Sequence, residues 1–591
     1  MSLSNDKVLL LAFLANNVRI IETARVTTQK IVSLLHGEIR TKYQLGTQPQ
    51  RAGLHFLNRF ISAVEINVAQ RLKTEGVLYW LMLSRKLPMD SFVLPPPQFS
   101  STRAQIRRTF DLAIIRFAPR KVAGMVQTEP SRFAPLVTKE TLAILFEAFF
   151  LVEHLYDAAS CYRRVYKGAH LDILSDRYEC PADTHAENSM QLFDKRKETF
   201  GGILDGFGYA KHIYQRDIDE LIAKPQIEPM IFYSGFARRP DDPSLCIAAG
   251  AYQPTDLLKL FRFWQDMAVQ VRGLQPLEFV FGLSALAWSR FAFDLPGLER
   301  RLQIGKTDLC ENGFSMISKG AIHSDLKYVW PRVLSWFKSL LVETPLRVSE
   351  DSIADFLQAC RGTRQPDLHT WTSAPVIIQL DTIDLIDWMS VTSFFIDLLP
   401  ATQRTQRVTL ASDRGHRFEA ELRDYLSRNL SFSQFGKMRF WPTSDSKKAE
   451  YPATKKSRDV DLGVICGDTL ILVECKVKLF FQTSLDEERR HHDTMQKASL
   501  EWLNQVDATA ASLAKGETTL DGHCLPANIT KIVPLVCSPH PIFTPITDPH
   551  LMLTDDIPRV CTPAELLVVI HERLNEVVSS KVSIDLQRNT Q

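Results

Sequence analysis

An apolar hairpin between residues 460 and 477 restricts the fold of this chain more than any other stretch. Residues 460–466 and 469–477 are runs of mainly aliphatic and β-branched side chains, separated by the turn dipeptide Gly467-Asp468. Two such runs around a glycine-containing turn are typical of two antiparallel strands joined by a tight turn. The sequence therefore predicts a buried β-hairpin here.

Apart from Asp468 in the turn, the hairpin contains three charged side chains, Asp461, Glu474 and Lys476. Side chains two residues apart in a strand point the same way, so Glu474 and Lys476 share one face and Cys475 takes the other. Asp461 enters the neighbouring strand and can bring a second carboxylate to the same end. Burial of such charges costs several kcal/mol unless partners or a metal ion compensate. Because carboxylate oxygens suit Mg²⁺ or Mn²⁺, the pattern predicts a divalent metal site.

At these residues the chain resembles the PD-(D/E)xK, or restriction-endonuclease-like, nuclease superfamily, and within it the Mrr-like, nuclease-related branch. The family core runs helix, strand, strand, strand, helix, strand, and this order can be traced over about a quarter of the chain. The predicted elements are an opening helix at 415–426 that begins Gly-x-x-Phe-Glu, a strand at 435–441, the hairpin, a crossover helix at 485–513, a strand at 529–537 and a closing helix at 563–574. Val460 stands where the family name has proline, a position that varies within the superfamily.

The resemblance implies a role for each residue of the motif. Asp461 and Glu474 would ligate the metal together with the backbone carbonyl of Cys475. Lys476 would orient or deprotonate the attacking water and offset charge on the phosphate. Glu419, in the opening helix, would lie behind the metal ligands or hold a second metal. The alternative interpretation is an ordinary surface hairpin with a cross-strand ion pair.

The helix carboxylate has a second candidate. With about 100° between successive helical residues, Phe418, Leu422 and Leu426 define the buried arc of the opening helix. Glu419 and Glu421 both lie near the edges of this arc. The Gly-x-x-Phe register favours Glu419, and Glu421 is the alternative.

Charge is unevenly distributed along the chain, whose net charge is +2. Residues 401–458 contain 13 Lys and Arg against 6 Asp and Glu, and the rest of the C-terminal part is acidic. A loop just before the predicted metal strand carries five cations: Lys447, Lys448, Lys455, Lys456 and Arg458. Such a loop can grip backbone phosphates with little sequence preference, although lysine-rich loops are also often simply solvated.

The first 400 residues show mainly helical periodicity. Apolar residues recur at helical spacing over 8–35, 54–87, 138–166, 255–271, 326–341, 352–360 and 383–399, and isolated strands are predicted at 230–236 and 376–380. Breaks at 92–101, which contains Pro95-Pro96-Pro97, and at 399–412 separate the regions. We therefore predict a multidomain protein: a helical subdomain at 1–92, a mainly helical regulatory or recognition region at 104–400, and a C-terminal α/β restriction-endonuclease-like core (αβββαβ, a mixed sheet flanked by helices) at 408–580.

Cysteine usage argues against a zinc ribbon or a disulfide framework. The ten cysteines include no Cys-x-x-Cys pair. Reduced cysteines, a start without the pattern of a signal peptide and apolar stretches too short to span a bilayer predict a cytoplasmic protein that does not enter a membrane.

The resemblance implies a Mg²⁺- or Mn²⁺-dependent DNA endonuclease whose helical region targets, regulates or assembles it. Large modules joined to this nuclease type are similar to bacterial restriction or anti-phage defence effectors. The expected partners are DNA, most simply double-stranded, further copies of the chain, since one site cuts one strand, and an activating protein. The alternatives are a repair or mobile-element nuclease, an RNA-cutting nuclease, and a nucleic-acid-binding scaffold that keeps the fold without turnover.

Overall fold

The structure of the chain is a computed structural model. It describes residues 12–15, 17–93, 100–122, 125–129, 132–181, 184–199, 206–208, 212–213, 236–238, 246–248, 251–252, 274, 276–290, 314–340, 348–362, 365–388, 390, 407–430, 438–441, 448–451, 456–478, 484–520, 522–546, 548–573 and 584–585. These residues form helices and several small sheets.

Nine α-helices with defined bounds and the short 3₁₀-helix Met89–Phe92 precede residue 400 in the described part of the chain, and small strands lie between them. The helices are α1 (Val18–Arg40), α2 (Gln50–Leu72), α3 (Val77–Lys86), α4 (Ser100–Phe117), α5 (Lys139–Tyr166), α6 (Thr184–Thr199), α7 (Pro276–Arg290), α8 (Ala321–Leu340) and α9 (Ser352–Arg361). The strands are β1 (Gly46–Gln48), β2 (Met125–Glu129), β3 (Arg132–Pro135), β4 (Leu171–Ile173), β5 (Tyr178–Glu179), β6 (His212–Ile213), β7 (Phe236–Arg238), β8 (Cys246–Ala248), β9 (Ala251–Tyr252), β10 (Phe314–Ser318), β11 (Ile377–Gln379) and β12 (Ile383–Asp387).

Helix α5 lies at the centre of the N-terminal core. Its apolar side chains are almost fully buried, and α1, α2 and α4 pack around it. Thr138 begins the helix with a capping box, because its hydroxyl accepts the Thr141 N–H at 3.1 Å. The same hydrophobic core includes Phe314, Leu380 and Leu385 from the sheet β10-β12-β11. This core therefore joins elements from both sides of the proline-rich break.

Most of the helical predictions for this region agree with the structure. Helices lie at 18–40, 139–166, 321–340 and 352–361, and the predicted helix at 54–87 is two helices, α2 and α3, which separate at Gly76. The strand predicted at 376–380 is β11. The predicted helix at 255–271, and the strand at 230–236 apart from Phe236, lie outside the described residues.

The helix predicted at 383–399 is wrong at its start, where the chain forms strand β12. β12 pairs with β10 on one side and β11 on the other, both antiparallel. Its last residue, Asp387, accepts from Arg85 of α3 at 3.0 Å and from the Ser390 hydroxyl at 2.6 Å. A short apolar run is compatible with the periodicity of a helix or of a strand. The strand pairing and these buried hydrogen bonds therefore determined that the segment forms a strand.

The C-terminal region contains a six-stranded mixed sheet flanked by helices. Its elements are α10 (Arg407–Asn429), β13 (Met438–Phe440), β14 (Lys448–Tyr451), β15 (Lys456–Asp459), β16 (Leu462–Cys466), β17 (Thr469–Cys475), α11 (Leu485–Ala514), β18 (Thr519–Leu520), β19 (Lys531–Cys537), β20 (Val560–Cys561), α12 (Pro563–Val568, extended by a π-helical turn Val569–Arg573) and β21 (Ile584–Asp585). The strand order is β13-β16-β17-β19-β20, and β21 pairs with β19.

The order of pairing places the hairpin in the middle of the sheet. β16 and β17 are antiparallel around the Gly467-Asp468 turn, where Gly467 has a φ of 64°. β17 and β19 are parallel, and the long helix α11 makes the crossover between them. Because β13 and β19 cover both edges of the hairpin, its strands are buried nearly throughout.

An extra hairpin, β14 and β15, stands where the sequence predicted a cationic loop. Lys448 pairs with Asp459 and Tyr451 with Lys456, and β14 also pairs with β18. The prediction of a loop is therefore wrong for Lys448, Lys456 and Arg458, whose backbone lies in strands. Backbone pairing satisfies the N–H and C=O groups that an open loop would leave to water.

A buried ion pair ties helix α6 to the C-terminal region. The Arg196 guanidinium donates to both carboxylate oxygens of Glu565, at 2.5 and 2.9 Å, and to the Ile542 carbonyl at 2.7 Å. The attraction within this pair and its hydrogen bonds offset the cost of removing both charges from water. α6 therefore has a defined position against the C-terminal sheet.

Replacement of Gly463 by alanine is expected to destabilise the protein by about 1–3 kcal/mol. A Cβ atom at Gly463 would lie 2.0 Å from the Trp441 carbonyl oxygen, so β13 and β16 would have to move apart. Gly37→Ala is the matched control, because a Cβ there meets nothing within 4 Å in helix α1, and it should stabilise by up to about 1 kcal/mol. Urea unfolding of both variants measures the difference; equal midpoints would contradict the close packing of Gly463.

Among the described helices, none is long and apolar enough to cross a membrane.

Candidate metal-binding site

Four of the predicted site residues lie at one end of the central hairpin. Glu474 and Cys475 are the last residues of β17, and Lys476 follows them directly. Asp461 immediately precedes β16, whose first residue, Leu462, pairs with Val473. The antiparallel register therefore brings Asp461 beside the end of β17, as the sequence predicted.

A hydrogen bond fixes Asp461 against the neighbouring strand. Its Oδ2 atom accepts the backbone N–H of Cys475 at 2.5 Å. Because Cys475 lies between Glu474 and Lys476 in the chain, this bond places the Asp461 carboxylate where the charges of both influence its pKa. A backbone donor is rigid, so the position of the carboxylate does not depend on a mobile side chain.

Glu474 and Lys476 form a charge-assisted hydrogen bond. Lys476 Nζ donates to Glu474 Oε1 at 2.5 Å, and the two side chains are 27% and 13% exposed. The pair joins two residues of one strand segment, and the hairpin is central in the sheet. The structure thus differs from a surface hairpin with a cross-strand ion pair.

The electrostatics around Asp461 favour the binding of a proton or a cation. Burial, together with the negative charges of Glu474 and Glu419, raises the pKa of Asp461 from 3.8 to about 8. The Cys475 N–H and the Lys476 ammonium act in the opposite direction but do not outweigh these effects. A group of carboxylates that repel one another in this way is stabilised when a divalent cation joins them.

Glu419, and not Glu421, faces this site. The Glu419 carboxylate, 28% exposed on α10, is close enough to Asp461 to raise its pKa. Glu421 pairs instead with Arg428 on its own helix, Oε1 to Nη2 at 3.1 Å. Burial of Phe418 and Leu422 sets this rotation of the helix. Glu419 is therefore the helix carboxylate of the candidate site.

The thiol of Cys475 takes no part in the site. It is buried on the opposite face of β17, and burial together with the nearby carboxylates raises its pKa well above the usual value. A protonated thiol is a poor metal ligand, because the thiolate is the binding form. The predicted use of Cys475 through its backbone carbonyl does not involve this thiol.

Among the described residues, no group of three or more His, Cys, Asp or Glu side chains could hold a metal ion. Mg²⁺ in proteins is often bound through one or two carboxylates and keeps several water ligands. Asp461 and Glu474 supply those two carboxylates as hard oxygen donors.

One residue at the edge of the site was not predicted from the sequence. His416 lies one turn before Glu419 on α10, and its Nδ1 atom is 3.6 Å from Glu419 Oε2. The imidazole is 77% exposed, so it can meet a ligand that approaches the carboxylates from solvent. The i, i+3 spacing of the two residues was the signal that could have identified it.

The predicted phosphate-binding cations are described in part. Lys447 and Lys455 lie outside the described residues, and Lys448, Lys456 and Arg458 are described through their backbone in β14 and β15. β15 ends at Asp459, two residues before Asp461. The backbone of this hairpin therefore leads directly into the candidate site.

No protein-family model matches this chain, and no curated protein or solved structure matches it either. The resemblance to the restriction-endonuclease-like nucleases thus depends on the motif residues themselves.

Proposed function

We propose that the protein is a metal-dependent endonuclease that hydrolyses phosphodiester bonds in DNA. The observation that carries this proposal is the convergence of Asp461, Glu474 and Lys476 at the end of β17, with Glu419 facing them from α10. Two carboxylates for a divalent ion and an amine for the developing phosphate charge are the groups that phosphodiester hydrolysis requires.

The order of elements supports the same proposal. Helix α10, strands β13, β16 and β17, helix α11 and strand β19 follow one another as helix, strand, strand, strand, helix, strand, with β14 and β15 inserted. This is the order expected of the restriction-endonuclease-like core. The parallel pairing of β17 with β19 through the α11 crossover is also expected for it.

Each residue has a defined part in the proposed reaction. Asp461 and Glu474, with the Cys475 carbonyl, would hold the Mg²⁺ or Mn²⁺ ion, which when bound supplies a Lewis acid for the phosphate and lowers the pKa of water. The Lys476 amine, which lies against Glu474, would orient the attacking water and stabilise negative charge on the phosphate oxygens. Glu419 would lie behind the two metal ligands or hold a second ion.

A cleavage assay on the full chain tests the proposal. Supercoiled plasmid, linear duplex, single-stranded DNA and RNA are each incubated with Mg²⁺, with Mn²⁺ or with EDTA. We expect duplex DNA to be cut with either metal and to remain intact with EDTA. Cleavage of RNA alone would favour the RNA-cutting alternative. Binding of DNA without cleavage under every condition would favour the non-catalytic scaffold.

Glu419→Gln is expected to lower the cleavage rate by about 10-fold, because it removes a charge next to the metal ligands but leaves both ligands in place. Glu421→Gln is the matched control on the same helix, since Glu421 pairs with Arg428 away from the site. Its rate should equal that of the wild type. Cleavage rates at saturating Mg²⁺ measure both; a larger loss in the Glu421 variant would reverse the assignment.

A further inference from the structure

Two cysteines far from the candidate metal-binding site in the sequence lie against each other on the N-terminal core. Cys161 lies on α5, and Cys180 directly follows β5. Both thiols are free, partly buried and packed on the core. A hydrogen bond joins the two thiols. The proposed nuclease chemistry uses neither of them.

Contacts on both sides of Cys180 hold its segment of the chain against the helical core. Two residues before it, the Tyr178 ring packs edge-on against an aromatic ring of α2, with the ring centres 5.2 Å apart. One residue after it, the Pro181 carbonyl accepts a hydrogen bond from Arg164 Nη2 at 3.2 Å. Arg164 lies one turn beyond Cys161 on α5. The approach of the two thiols is therefore fixed by the neighbours of both.

The surroundings make Cys180 the more reactive thiol of the two. The hydrogen bond from the Cys161 thiol and the positive charge of Arg164 lower the pKa of Cys180. Burial and the carboxylates of Glu187 and Asp172 act in the opposite direction but do not outweigh these effects. The same hydrogen bond, together with burial, raises the pKa of Cys161. Because the thiolate is the nucleophile, Cys180 reacts first with an oxidant, and the protonated Cys161 lies beside it.

Solvent access distinguishes this pair from another hydrogen-bonded pair of thiols. Cys537 and Cys561 are register partners on the parallel strands β19 and β20, and their thiols also form a hydrogen bond. Neither of these side chains has exposed surface, whereas Cys161 and Cys180 are each partly exposed. A reagent in solvent can therefore reach Cys161 and Cys180 in the folded protein, but it reaches Cys537 and Cys561 after the sheet opens.

We propose that Cys161 and Cys180 are a redox-active pair that hydrogen peroxide converts into a disulfide. The Cys180 thiolate attacks one peroxide oxygen, the O–O bond breaks, and Cys180 becomes a sulfenic acid while the other oxygen takes up a proton and leaves as water. The Cys161 thiol then attacks the sulfenic sulfur, the S–S bond forms, and a second water leaves with the Cys161 proton. The two cysteines lose two electrons, which the peroxide gains.

The disulfide is a reversible modification and not part of a permanent framework. The cysteines whose side chains the structure describes are all free. A bond that forms from two free thiols under oxidation is broken again by a dithiol reductant through thiol–disulfide exchange. When formed, it joins helix α5 to the chain that leads into α6, next to the hydrogen bond from Arg164 to Glu187 of α6 at 2.7 Å.

Peptide mapping of the oxidised full chain tests the proposal. Reduced protein without metal is treated with a small excess of hydrogen peroxide, and the remaining thiols are alkylated in urea. Trypsin cuts after Arg163 and Arg177, between the two cysteines, so they fall in the separate peptides 140–163 and 178–195. We expect a disulfide between these two peptides as the main product, and dithiothreitol should separate them. Cys537 and Cys561 should be recovered as alkylated thiols.

Two serine variants test the order of the steps. In Cys161→Ser, the Cys180 sulfenic acid has no thiol partner beside it, so it should accumulate and be trapped by dimedone. In Cys180→Ser, dimedone labelling of Cys161 should be at least about 10-fold weaker, because that thiol stays protonated. Cys524→Ser removes an exposed cysteine, is the matched control and should form the same disulfide as the wild type. Circular dichroism confirms that each variant is folded, and the wild-type peptide map gives the decisive result if a variant fails to fold.

Replacement of Arg164 tests the electrostatic part of the argument. Arg164→Met should slow the oxidation of Cys180 at neutral pH by at least about 3-fold, because the positive charge that favours the thiolate is lost. Arg177→Met is the matched control in the same hairpin, since this side chain is 59% exposed and pairs with Asp176 and Glu179, and it should leave the rate unchanged. Equal rates in the two variants would contradict the role of Arg164.

Two results of the peptide map would overturn the proposal. One is a protein in which exposed Cys524 is oxidised while Cys161 and Cys180 remain thiols. The other is a set of disulfides formed mainly between copies of the chain or with other cysteines. Equal dimedone labelling of Cys161→Ser and Cys180→Ser would overturn the assigned order of the steps. None of these measurements uses cleavage or metal, so they are independent of the proposed nuclease function.

Discussion

Lys476→Ala is expected to lower metal-dependent cleavage of duplex DNA by at least about 100-fold, with the fold intact. The Lys476 amine lies directly against the site carboxylates, at 2.5 Å from Glu474. In the proposed reaction its loss removes the group that would orient water and stabilise phosphate charge, and because Lys476 lies beyond the last residue of β17 with 27% of its side chain exposed, the sheet itself is kept. Single-turnover cleavage at saturating Mg²⁺ measures the effect on the chemical step.

Stability and metal binding separate this effect from misfolding. Without metal, the alanine variant should lose about 1 kcal/mol, because the carboxylates repel one another more strongly when the ammonium is gone. Added Mg²⁺ should restore this loss. Lys531→Ala, at the opposite end of the sheet where β19 begins, is the matched control and should cut at the wild-type rate. Equal cutting by Lys476→Ala and wild type would refute the assigned role.

Asp461→Asn is expected to stabilise the metal-free protein by about 2 kcal/mol at pH 8 and to abolish cleavage. Asparagine is nearly the same size and can still accept the Cys475 N–H through its amide oxygen, so the hydrogen bond is kept. What it removes is a buried negative charge beside Glu474 and Glu419. Chemical unfolding in EDTA measures the gain, and a loss of stability would contradict the repulsion that we infer.

The gain should depend on pH in a defined direction. The pKa of Asp461 is about 8 in the folded protein and 3.8 in the unfolded reference, so within this window the folded state binds more protons. The stability of the wild type therefore falls as pH rises from about 4 to 8, and the fall is complete above the folded value. Asparagine does not titrate, so the difference between variant and wild type should be small near pH 4.5 and largest above pH 8.

Magnesium should reverse the order of stability. Mg²⁺ binds the ionised carboxylates of the folded wild type and stabilises it by mass action. The asparagine variant has lost one of the two charged ligands, so its unfolding midpoint should change little between EDTA and about 10 mM Mg²⁺. An equal Mg²⁺ shift in both proteins would mean that the ion binds elsewhere.

Local sequence patterns determined the central hairpin, the crossover helix and the residues that carry charge at the end of β17. The turn at Gly467-Asp468 and the alternation of Glu474, Cys475 and Lys476 act over a few residues, and tertiary context had no need to alter them. The helical period of 485–513 is likewise local, and α11 covers Leu485–Ala514. These features depend on backbone geometry that neighbouring residues set by themselves.

The tertiary structure decided which distant groups meet. Residues 383–387 became a strand because β10 and β11 lie on both sides, and residues 448–451 and 456–459 became paired strands with β18 as a further partner. The choice of Glu419 over Glu421 required the packing of α10, and the bond between Asp461 and the Cys475 N–H required the register of β16 on β17. The hydrogen bond from Arg163 of α5 to Glu488 of α11 links residues more than 300 positions apart. Such contacts form when whole helices and strands pack against one another. Their energy depends on residues far apart in the chain, so a short stretch of sequence does not predict them.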